Sequence, residues 1–337
     1  MSTDLHISDN SIEKASFFAM AGFIFSIFYF SLSTPLITIL FGYLIIKSLG
    51  KRLSSLLTIL TFGILSVILF YLFIHFIGEA IRALPETAEK AIPIIVEFAN
   101  KNGFEVPFSD ALTLKSFLVD GFRSQIAHLA KFAQIFTKEF VYIIISLVIT
   151  AGLFLQPQFD LEAIREKESP NTYRSFTVAL ASRFYSFFES FRTVMGAQVV
   201  ISLINTFFTG MFLIILHLLK MPLPYSFVIV VVTFLCGLLP IIGNLISNTI
   251  IFLIGVSQSI YLGLLALSYL IVLHKFEYFL NSKIIGGKIK NPMWLTLLGL
   301  LVGERIGGVP GMILAPVLLH YCKVEAKKIP VSGFSQA

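Results

Sequence analysis

Charged residues are scarce in this chain. Of its 337 residues only 13% are Asp, Glu, Lys or Arg, whereas a soluble domain carries about 25%. The hydrophobic share is 56%, with 35 Phe, so there is too little polar surface to cover a soluble fold of this length. A water-soluble globular protein is thereby excluded, and an integral membrane protein is predicted.

Cysteines and catalytic motifs are also scarce. The two cysteines, Cys236 and Cys322, lie in apolar runs, which excludes a disulfide scaffold and predicts packing thiols. The sequence has no hydrolase, metalloprotease or nucleotide-binding motif, and no His/Cys cluster at metal-ligand spacing. We therefore expect neither an enzyme nor a bound metal or cofactor.

The net charge of +6 is modest for a chain of this length. Its lysines collect at the ends of apolar runs, as topology signals and lipid-headgroup contacts do. We therefore expect these basic residues to meet the lipid bilayer and not nucleic acid.

Six stretches of the sequence have no charged residue, or a single charged pair. A membrane-spanning helix needs about 20 apolar residues, so the stretches of 26, 20 and 27 residues each predict one helix. The first stretch is longer and contains Pro35, which favours a break near Ser33 and Thr34 and hence a hairpin of two short helices. In order, the stretches are 15–46, 53–78, 140–159, 193–219, 221–274 and, interrupted only by Glu304 and Arg305, 291–322.

The last two stretches contain internal breaks. Pro240 and Gly243 interrupt the fifth, which predicts a broken or re-entrant hairpin over 225–255 and then a full span over 258–280. In the sixth, two apolar arms of about 15 residues meet at 303–311, and arms this short do not make an ordinary spanning pair. The predicted fold class is an all-α polytopic bundle with short or re-entrant broken hairpins and amphipathic extramembrane helices.

Basic residues in short loops predict the orientation of the chain. Groups around Lys47, Lys283 and Lys327 are expected at the cytoplasmic side, which places both termini in the cytoplasm of a multi-pass protein of the bacterial inner membrane. The expected regions are an N-terminal hairpin with a long transmembrane helix (1–78), an extracytoplasmic amphipathic helical cap (79–138), a transmembrane helix (139–156), a cytoplasmic amphipathic helix (157–195), a transport core with two broken hairpins (196–325) and a cytoplasmic tail (326–337).

The predicted cytoplasmic helix is amphipathic. An apolar stripe lies opposite Arg183, Glu189 and Arg192 at helical spacing. Such a stripe can pack on a neighbouring subunit or lie on the membrane surface, and both alternatives stay open. Its members are Phe176, Leu180, Phe184, Phe187, Phe188 and Phe191.

Small residues dominate the last hairpin. Glycines every four residues let helix backbones approach closely in lipid, where association depends on van der Waals contact and hydrogen bonding. Backbone exposed by Gly and Pro at membrane depth must be buried in protein or line a wet cavity, so this segment can either pack a hairpin or border a pathway. The residues concerned are Gly299, Gly303, Gly307 and Gly311, with Gly308 and Pro310 between them.

Glu304 and Arg305 lie at the centre of this hairpin. An ionisable residue between apolar arms is by default a candidate for a functional site, because charge at the bilayer centre is costly. The alternative is a solvated hairpin tip. A direct ion pair between the two is poorly placed on a regular helix, where adjacent residues point in different directions.

The broken segment after Pro240 adds polar side chains to an otherwise apolar run. Asn244 and Asn248 are four residues apart and would share a helix face, with Ser247 beside them. These groups could bind a polar solute or an ion, or bridge neighbouring helices. Paired broken helices are a frequent location of a transporter's binding site.

In its C-terminal half the sequence resembles the autoinducer-2 exporter family of bacterial inner-membrane proteins, some of which are proposed sodium or lithium ion/proton antiporters. The resemblance covers roughly 170–325 and rests on the order and spacing of several short motifs. These are Leu239-Pro240-Ile241-Ile242-Gly243, Phe276-Glu277-Tyr278-Phe279-Leu280 followed by Ile284-Ile285-Gly286, Asn291-Pro292, and Gly308-Val309-Pro310-Gly311-Met312-Ile313-Leu314-Ala315-Pro316.

The sequence departs from the family pattern at two places. Ser282 stands where the family commonly has proline, and Glu304 and Arg305 occupy a place usually filled by small or apolar residues. A charged pair there favours ion coupling over simple export. The resemblance also implies a homo-oligomer, since members of the family are thought to be oligomeric.

Three functions follow as hypotheses. The leading one is a secondary transporter that exports a small polar signalling molecule or a similar solute along a pathway bounded by the two broken hairpins. The second is a sodium or lithium ion/proton antiporter in which Glu304 carries the proton and Arg305 tunes its pKa. The third is a membrane scaffold that transports nothing.

Overall fold

The computed structural model describes residues 9–103, 129–156, 172–239, 242–284 and 292–328. In these ranges the chain forms nine helices and no strand, which confirms the predicted all-α class. They are α1 (Asp9–Tyr29), α2 (Ser33–Gly50), α3 (Ser55–Lys101), α4 (Leu129–Leu155), α5 (Thr172–Leu218), α6 (Ser226–Gly237), α7 (Ile242–Gln258), α8 (Ile260–Ile284) and α9 (Met293–Ala326).

Six of the described helices, α1 to α5 and α9, are long and apolar enough to cross a membrane, so the chain is a multi-pass membrane protein. Helices α3 and α5 have 47 residues each. At about 1.5 Å per residue each is about 70 Å long, more than twice the roughly 30 Å of a hydrocarbon core. Helix α3 therefore continues without a break through Glu79, and helix α5 continues without a break through Arg192.

The described residues belong to two compact units. Helices α3, α4 and α5 contribute to both, with the divisions after Ile64, after Thr137 and after Gly196. Unit 1 is drawn from Met1–Ile64, Lys138–Gly196 and Ile289–Ala337, and unit 2 from Leu65–Thr137 and Ala197–Lys288.

The core of unit 1 is built on the phenylalanine stripe of α5. Phe187, Phe188 and Phe191 are buried there, and Phe191 has no exposed surface. They pack with Met20 of α1 and Leu314 of α9 in one apolar cluster. The chain thus covers these side chains itself, whereas the stripe alone was compatible with a subunit contact or a membrane surface.

Helices α1 and α2 are joined by three residues, as the first predicted hairpin requires. Helix α1 ends at Tyr29, Ser31 takes a left-handed φ of 55°, and α2 begins at Ser33. Pro35 lies in the first turn of α2, where the missing N–H of proline breaks no helical hydrogen bond. The break lies two to three residues before the predicted position because proline is tolerated inside the first turn.

Helix α9 folds back on itself. Gly308 has φ 59° and ψ −149°, a conformation outside any helix, and it divides α9 into two arms. A methyl group on Gly303 would lie 2.5 Å from the carbonyl oxygen of Gly311, and one on Gly299 would lie 2.9 Å from Leu319 Cδ1. The two arms are therefore antiparallel and in close contact, although α9 by length alone would count as a single span.

Unit 2 contains the second broken segment. Helix α6 ends at Gly237 and α7 starts at Ile242, close to the predicted 225–255, while Pro240 itself lies outside the described residues. Helices α7 and α8 approach so closely that a methyl group on Gly255 would lie 3.0 Å from Gly263 Cα. An apolar cluster that includes Phe212, Leu216, Ile251, Leu262 and Leu270 holds α5, α7 and α8 together.

Candidate functional site

The turn of the α9 hairpin contacts the turn of the first hairpin, within unit 1. A methyl group on Gly307 would lie 3.1 Å from Ser33 Oγ and 3.3 Å from the Phe28 ring, so the two turns touch. Ser33 is 3% exposed, and its hydroxyl oxygen has no hydrogen-bond partner in the described part of the chain. Hence a polar atom is enclosed where two broken helices meet.

Glu304 and Arg305 lie one turn before Gly308, and both side chains are exposed. The glycine backbones, in contrast, form the contact between the arms, with Gly303 and Gly311 buried and Gly299 half-buried. The carboxylate of Glu304 and the guanidinium of Arg305 therefore lie outside the contact between the two arms. Pro310 follows Gly308 in the second arm, where it is half-buried.

In unit 2, helix α5 presents polar side chains to the end of α6. Gln198 Nε2 donates to the carbonyl oxygen of Gly237 at 2.6 Å, and Ser202 Oγ donates to that of Phe234 at 2.6 Å. The last carbonyls of a helix have no partner inside it, so these two side chains satisfy them. They also hold the broken end of α6 against α5, where Gly237 allows the close approach.

The same face of α5 continues to Asn205, which approaches α7. Asn205 is 4% exposed, and its Nδ2 lies 3.4 Å from Asn244 Oδ1. Ser247 is buried and donates to the carbonyl oxygen of Asn244 at 3.2 Å, and Asn248 is half-buried in the same helix. Two of the sequence candidates thus join a residue of α5 in one buried polar cluster.

This polar cluster has unused hydrogen-bonding capacity. Asn205 Oδ1, Thr209 Oγ1 and Thr233 Oγ1 are buried and have no hydrogen-bond partner within the described ranges. Thr209 lies one turn beyond Asn205 on α5, and Thr233 precedes the Phe234 carbonyl that Ser202 binds. Buried polar atoms are nearly always paired in proteins, so each of these atoms is available to a bound solute or water.

The helical segments that supply the described residues of this cluster contain no charged residue. The apolar stretches 193–219 and 221–274, which supply α5 beyond Arg192 together with α6 and α7, contain no Asp, Glu, Lys or Arg. The described residues also include no group of three or more His, Cys, Asp or Glu that could hold a metal ion. The chemistry of the cluster is consequently that of neutral hydrogen bonding.

Asn205, Thr209 and Thr233 were not among the sequence candidates. Their signal was nevertheless present, because Ser202, Asn205 and Thr209 are three and four residues apart in a transmembrane stretch and so share one helix face. Isolated Ser and Thr side chains in a span usually bond their own helix, as Thr206 does to the Ser202 carbonyl. Only the packing of α6 and α7 distinguishes the residues that belong to the cluster from those that bond their own helix.

A charged network was also missed, at the far end of the α9 hairpin in unit 1. Arg183 donates to Glu325 Oε2 at 2.5 Å, to Ser16 Oγ at 2.8 Å and to the Glu13 carbonyl oxygen at 3.1 Å. Lys328 Nζ binds Glu325 Oε1 at 2.6 Å. Arg183 therefore connects α1, α5 and α9, whereas the sequence placed it on the polar face of a helix.

A third polar group lies outside the candidate spans of unit 2. Tyr225 donates its phenolic hydrogen to Glu86 Oε2 at 2.8 Å, and Lys90 Nζ donates to Glu86 Oε1 at 2.7 Å. The hydrogen bond from Lys90, followed by that from Tyr225, holds the pKa of Glu86 below its usual value. The same bonds raise the pKa of Lys90 and of Tyr225. This group ties α3 to the α5–α6 connection.

Broken hairpins, close glycine packing and a buried polar cluster characterise this polytopic α-helical membrane protein. A family model described as "AI-2E family transporter" matches residues 14–330. The chain belongs to this family of membrane transporters, which confirms the resemblance inferred from the C-terminal motifs and extends it over the N-terminal half.

A curated relative agrees with this assignment. A protein of Bacillus subtilis (strain 168) named "Putative transport protein YdbI" is 26% identical over 221 residues, which cover 62% of this chain and 59% of that protein. The match thus spans less than two thirds of the relative's length. Neither comparison supports sodium/proton antiport.

Proposed function

We propose that this protein is a secondary transporter that exports a small, neutral, polar solute, such as autoinducer-2 or a similar signalling molecule. The observation that carries the proposal is the buried polar cluster of unit 2, centred on Asn205 and Asn244. It offers an amide oxygen and two hydroxyl groups that have no hydrogen-bond partner among the described residues. A solute with several hydroxyl or carbonyl groups can complete those hydrogen bonds, whereas an apolar solute cannot.

The absence of charge in the cluster favours a neutral solute. An anion would need a positive partner and a proton-coupled cation would need a titratable carboxylate, because an isolated charge in a low-dielectric interior is costly. Broken helices near the bilayer midplane are a frequent location of the binding site in secondary transporters. The break after α6 at Gly237 is such a point, and Gln198 and Ser202 of the helix that carries Asn205 hold it in place.

The proposal is tested by uptake of isotopically labelled autoinducer-2 into inverted membrane vesicles that contain the protein. Loss of one hydrogen bond to the solute should slow uptake about tenfold in Asn205→Ala and in Asn244→Ala. Thr249→Val is the matched control, because Thr249 is exposed and bonds the Leu245 carbonyl of its own helix. Wild-type rates in both asparagine variants, with normal insertion, would contradict the assignment of the site.

The two alternative functions give different results in a second assay. In proteoliposomes with a preset pH gradient we expect added sodium or lithium to leave the gradient unchanged. A collapse in wild type that is absent in Glu304→Gln would instead establish antiport. A scaffold would show neither uptake of solute nor collapse, and Glu304→Gln would not affect it.

We further propose a homo-oligomer in the bacterial inner membrane, with both termini cytoplasmic and without catalytic activity. The groups of basic residues around Lys47 and Lys327 support this orientation, because loops rich in Lys and Arg lie preferentially in the cytoplasm. Membrane-impermeant labelling of single cysteines introduced beside each lysine in intact cells tests the topology. Light scattering of the purified protein gives the number of subunits.

A further inference from the structure

A groove of about 640 Å³ runs between α1 and α9, wholly within unit 1. Helix α1 lines it from Phe17 to Tyr29, and α9 contributes Ile306 beside its turn and Tyr321 further along the second arm. Glu325, at one end, is the sole charged side chain among the described residues that line it. The groove is therefore lined by apolar side chains along its length and has one charged residue at its end.

The dimensions of the groove fit a hydrocarbon chain. At about 1.5 Å per residue, the stretch of α1 from Phe17 to Tyr29 is about 18 Å long, close to the roughly 15 Å of one leaflet. A volume of about 640 Å³ over that length leaves a cross-section of about 36 Å².

Basic residues around the charged end of the groove fit an anionic headgroup. Glu325 is 3% exposed and is neutralised by Arg183 and Lys328. Two exposed lysines flank this end, Lys14 at the start of α1 and Lys327 after the last turn of α9. Each lysine near an anionic lipid surface contributes about 1 kcal/mol of attraction.

The charged network also shapes the mouth of the groove. The guanidinium of Arg183 lies 5.3 Å from the ring centroid of Phe17, which lines the groove, and its Nη2 donates to the Glu13 carbonyl next to Lys14. Arg183 thus holds the start of α1 and the end of α9 together at the mouth of the groove. A lipid there would meet Lys14 and Lys327 at the mouth, beside the exposed Glu13, and an apolar groove below them.

We propose that this groove binds one acyl chain of an anionic phospholipid, with the headgroup phosphate at Lys14 and Lys327 and the chain end near Phe28 and Ile306. The lipid then occupies the space between the two hairpins whose turns meet at Gly307 and Ser33. This site is separate from the polar cluster proposed to bind the transported solute, and its test does not depend on transport.

The experiment uses the purified full-length protein in mixed micelles with phosphatidylglycerol that carries a diazirine at the end of one acyl chain. After photolysis, mass spectrometry should locate the label on α1 between Ile24 and Tyr29 and on α9 at Ile306. Unlabelled phosphatidylglycerol should compete for this labelling better than phosphatidylcholine with the same chains. Label spread evenly over the exposed apolar faces of α3 and α4 would overturn the proposal.

Matched variants make the test specific. Ala21→Trp should fill the groove and abolish labelling there, whereas Phe18→Trp, at a 73% exposed position that does not line the groove, should label as wild type. Lys14→Gln and Lys327→Gln should each lower the preference for phosphatidylglycerol about fivefold, and the exposed Lys51→Gln should leave it unchanged.

Three outcomes would refute the site in these variants. One is undiminished labelling of Ala21→Trp while its elution and melting temperature match wild type. Another is equal loss of preference in Lys51→Gln and in the two proposed lysine variants. The third is a cross-link between two copies of the chain through the groove residues, which would assign the groove to a subunit contact.

Discussion

Arg183 and Glu325 lie 142 positions apart in the sequence and form a buried ion pair in unit 1, with Nη1 and Oε2 separated by 2.5 Å. The pair joins the first quarter of the long α5 to the end of the α9 hairpin. Ser16 and Lys328 complete it from α1 and from the residues after α9.

Replacing Glu325 with Leu should strongly destabilise the protein. The guanidinium of Arg183 would remain buried with no opposite charge, which typically costs about 3–5 kcal/mol. Thermal unfolding in detergent, followed by size-exclusion fluorescence, measures the change. The control Arg192→Gln removes an exposed pair with Glu189 and should alter stability by about 0–1 kcal/mol. Similar melting temperatures for the two variants would contradict the structural role of the pair.

Gly303→Ala should separate the arms of the α9 hairpin. Its new methyl group would lie 2.5 Å from the Gly311 carbonyl oxygen, and rigid backbone cannot move aside as a flexible side chain can. We expect a loss of about 1–3 kcal/mol, the usual cost of overpacking. Gly22→Ala is the matched control, because a methyl group there meets nothing within 4 Å and alanine favours a helix by about 0.5–1 kcal/mol. An unchanged melting temperature of Gly303→Ala would show that the arms are not in contact.

Gly308→Ala should also destabilise the hairpin, for a different reason. A methyl group on Gly308 would have open space, because beyond the adjacent residues it would meet only Pro310 Cδ, at 4.0 Å. Its φ of 59° with ψ of −149° lies in a region that is nearly exclusive to glycine, and a side chain there costs about 1–3 kcal/mol. Limited proteolysis should show faster cleavage near the turn in this variant. Cleavage at the wild-type rate would indicate that the turn has another conformation.

The contact between Tyr225 and Glu86 should depend on pH. The pKa of Glu86 is lowered from 4.5, chiefly by the hydrogen bond from Lys90, so the folded state favours the carboxylate. This contribution is present above pH 4.5 and is lost as the pH falls through the lowered value. A spin-label pair that reports the distance between α3 and the α5–α6 connection should separate in that acidic range. Tyr225→Phe should show the wider distance already at pH 7, and a narrow distance at every pH in this variant would refute the role of the bond.

Thr209→Val should reduce transport without reducing the stability of the protein. The buried hydroxyl of Thr209 has no partner among the described residues, so its removal at nearly constant volume should leave the melting temperature unchanged or raise it. Solute uptake should fall if that hydroxyl binds the solute. Ser202→Ala provides the contrast, because it removes the bond to the Phe234 carbonyl and should cost about 1 kcal/mol. A destabilised Thr209→Val with normal uptake would mean that the hydroxyl is structural.

Local breaks were predictable from the sequence because their causes act within a few residues. Pro35 led to a hairpin whose second helix begins at Ser33, and the glycines around Gly308 led to two short arms. The lengths of α3 and α5 were not predictable in the same way. Charges such as Glu79 and Arg192 end an apolar run without ending a helix, because a charged side chain interrupts no backbone hydrogen bond.

The candidate site was predictable in part. Asn244 and Ser247 attracted attention because polar groups stand out in a long apolar run, and both belong to the buried cluster. Asn205 and Thr209 did not, because in a span such residues commonly bond their own helix. Glu304 and Arg305 were conspicuous by charge, yet their side chains are exposed beside a seam built from glycine backbone.

The sequence by itself determined that this protein is a helical membrane protein with broken hairpins. Composition, apolar run length and the backbone limits of Pro and Gly are properties of short segments and need no partner. Only the tertiary structure decided that Arg183 meets Glu325, that Asn205 meets Asn244, and that α1 and α9 leave a groove between them. Those contacts join residues far apart in the chain, and which ones form depends on how whole helices pack, which no local pattern encodes.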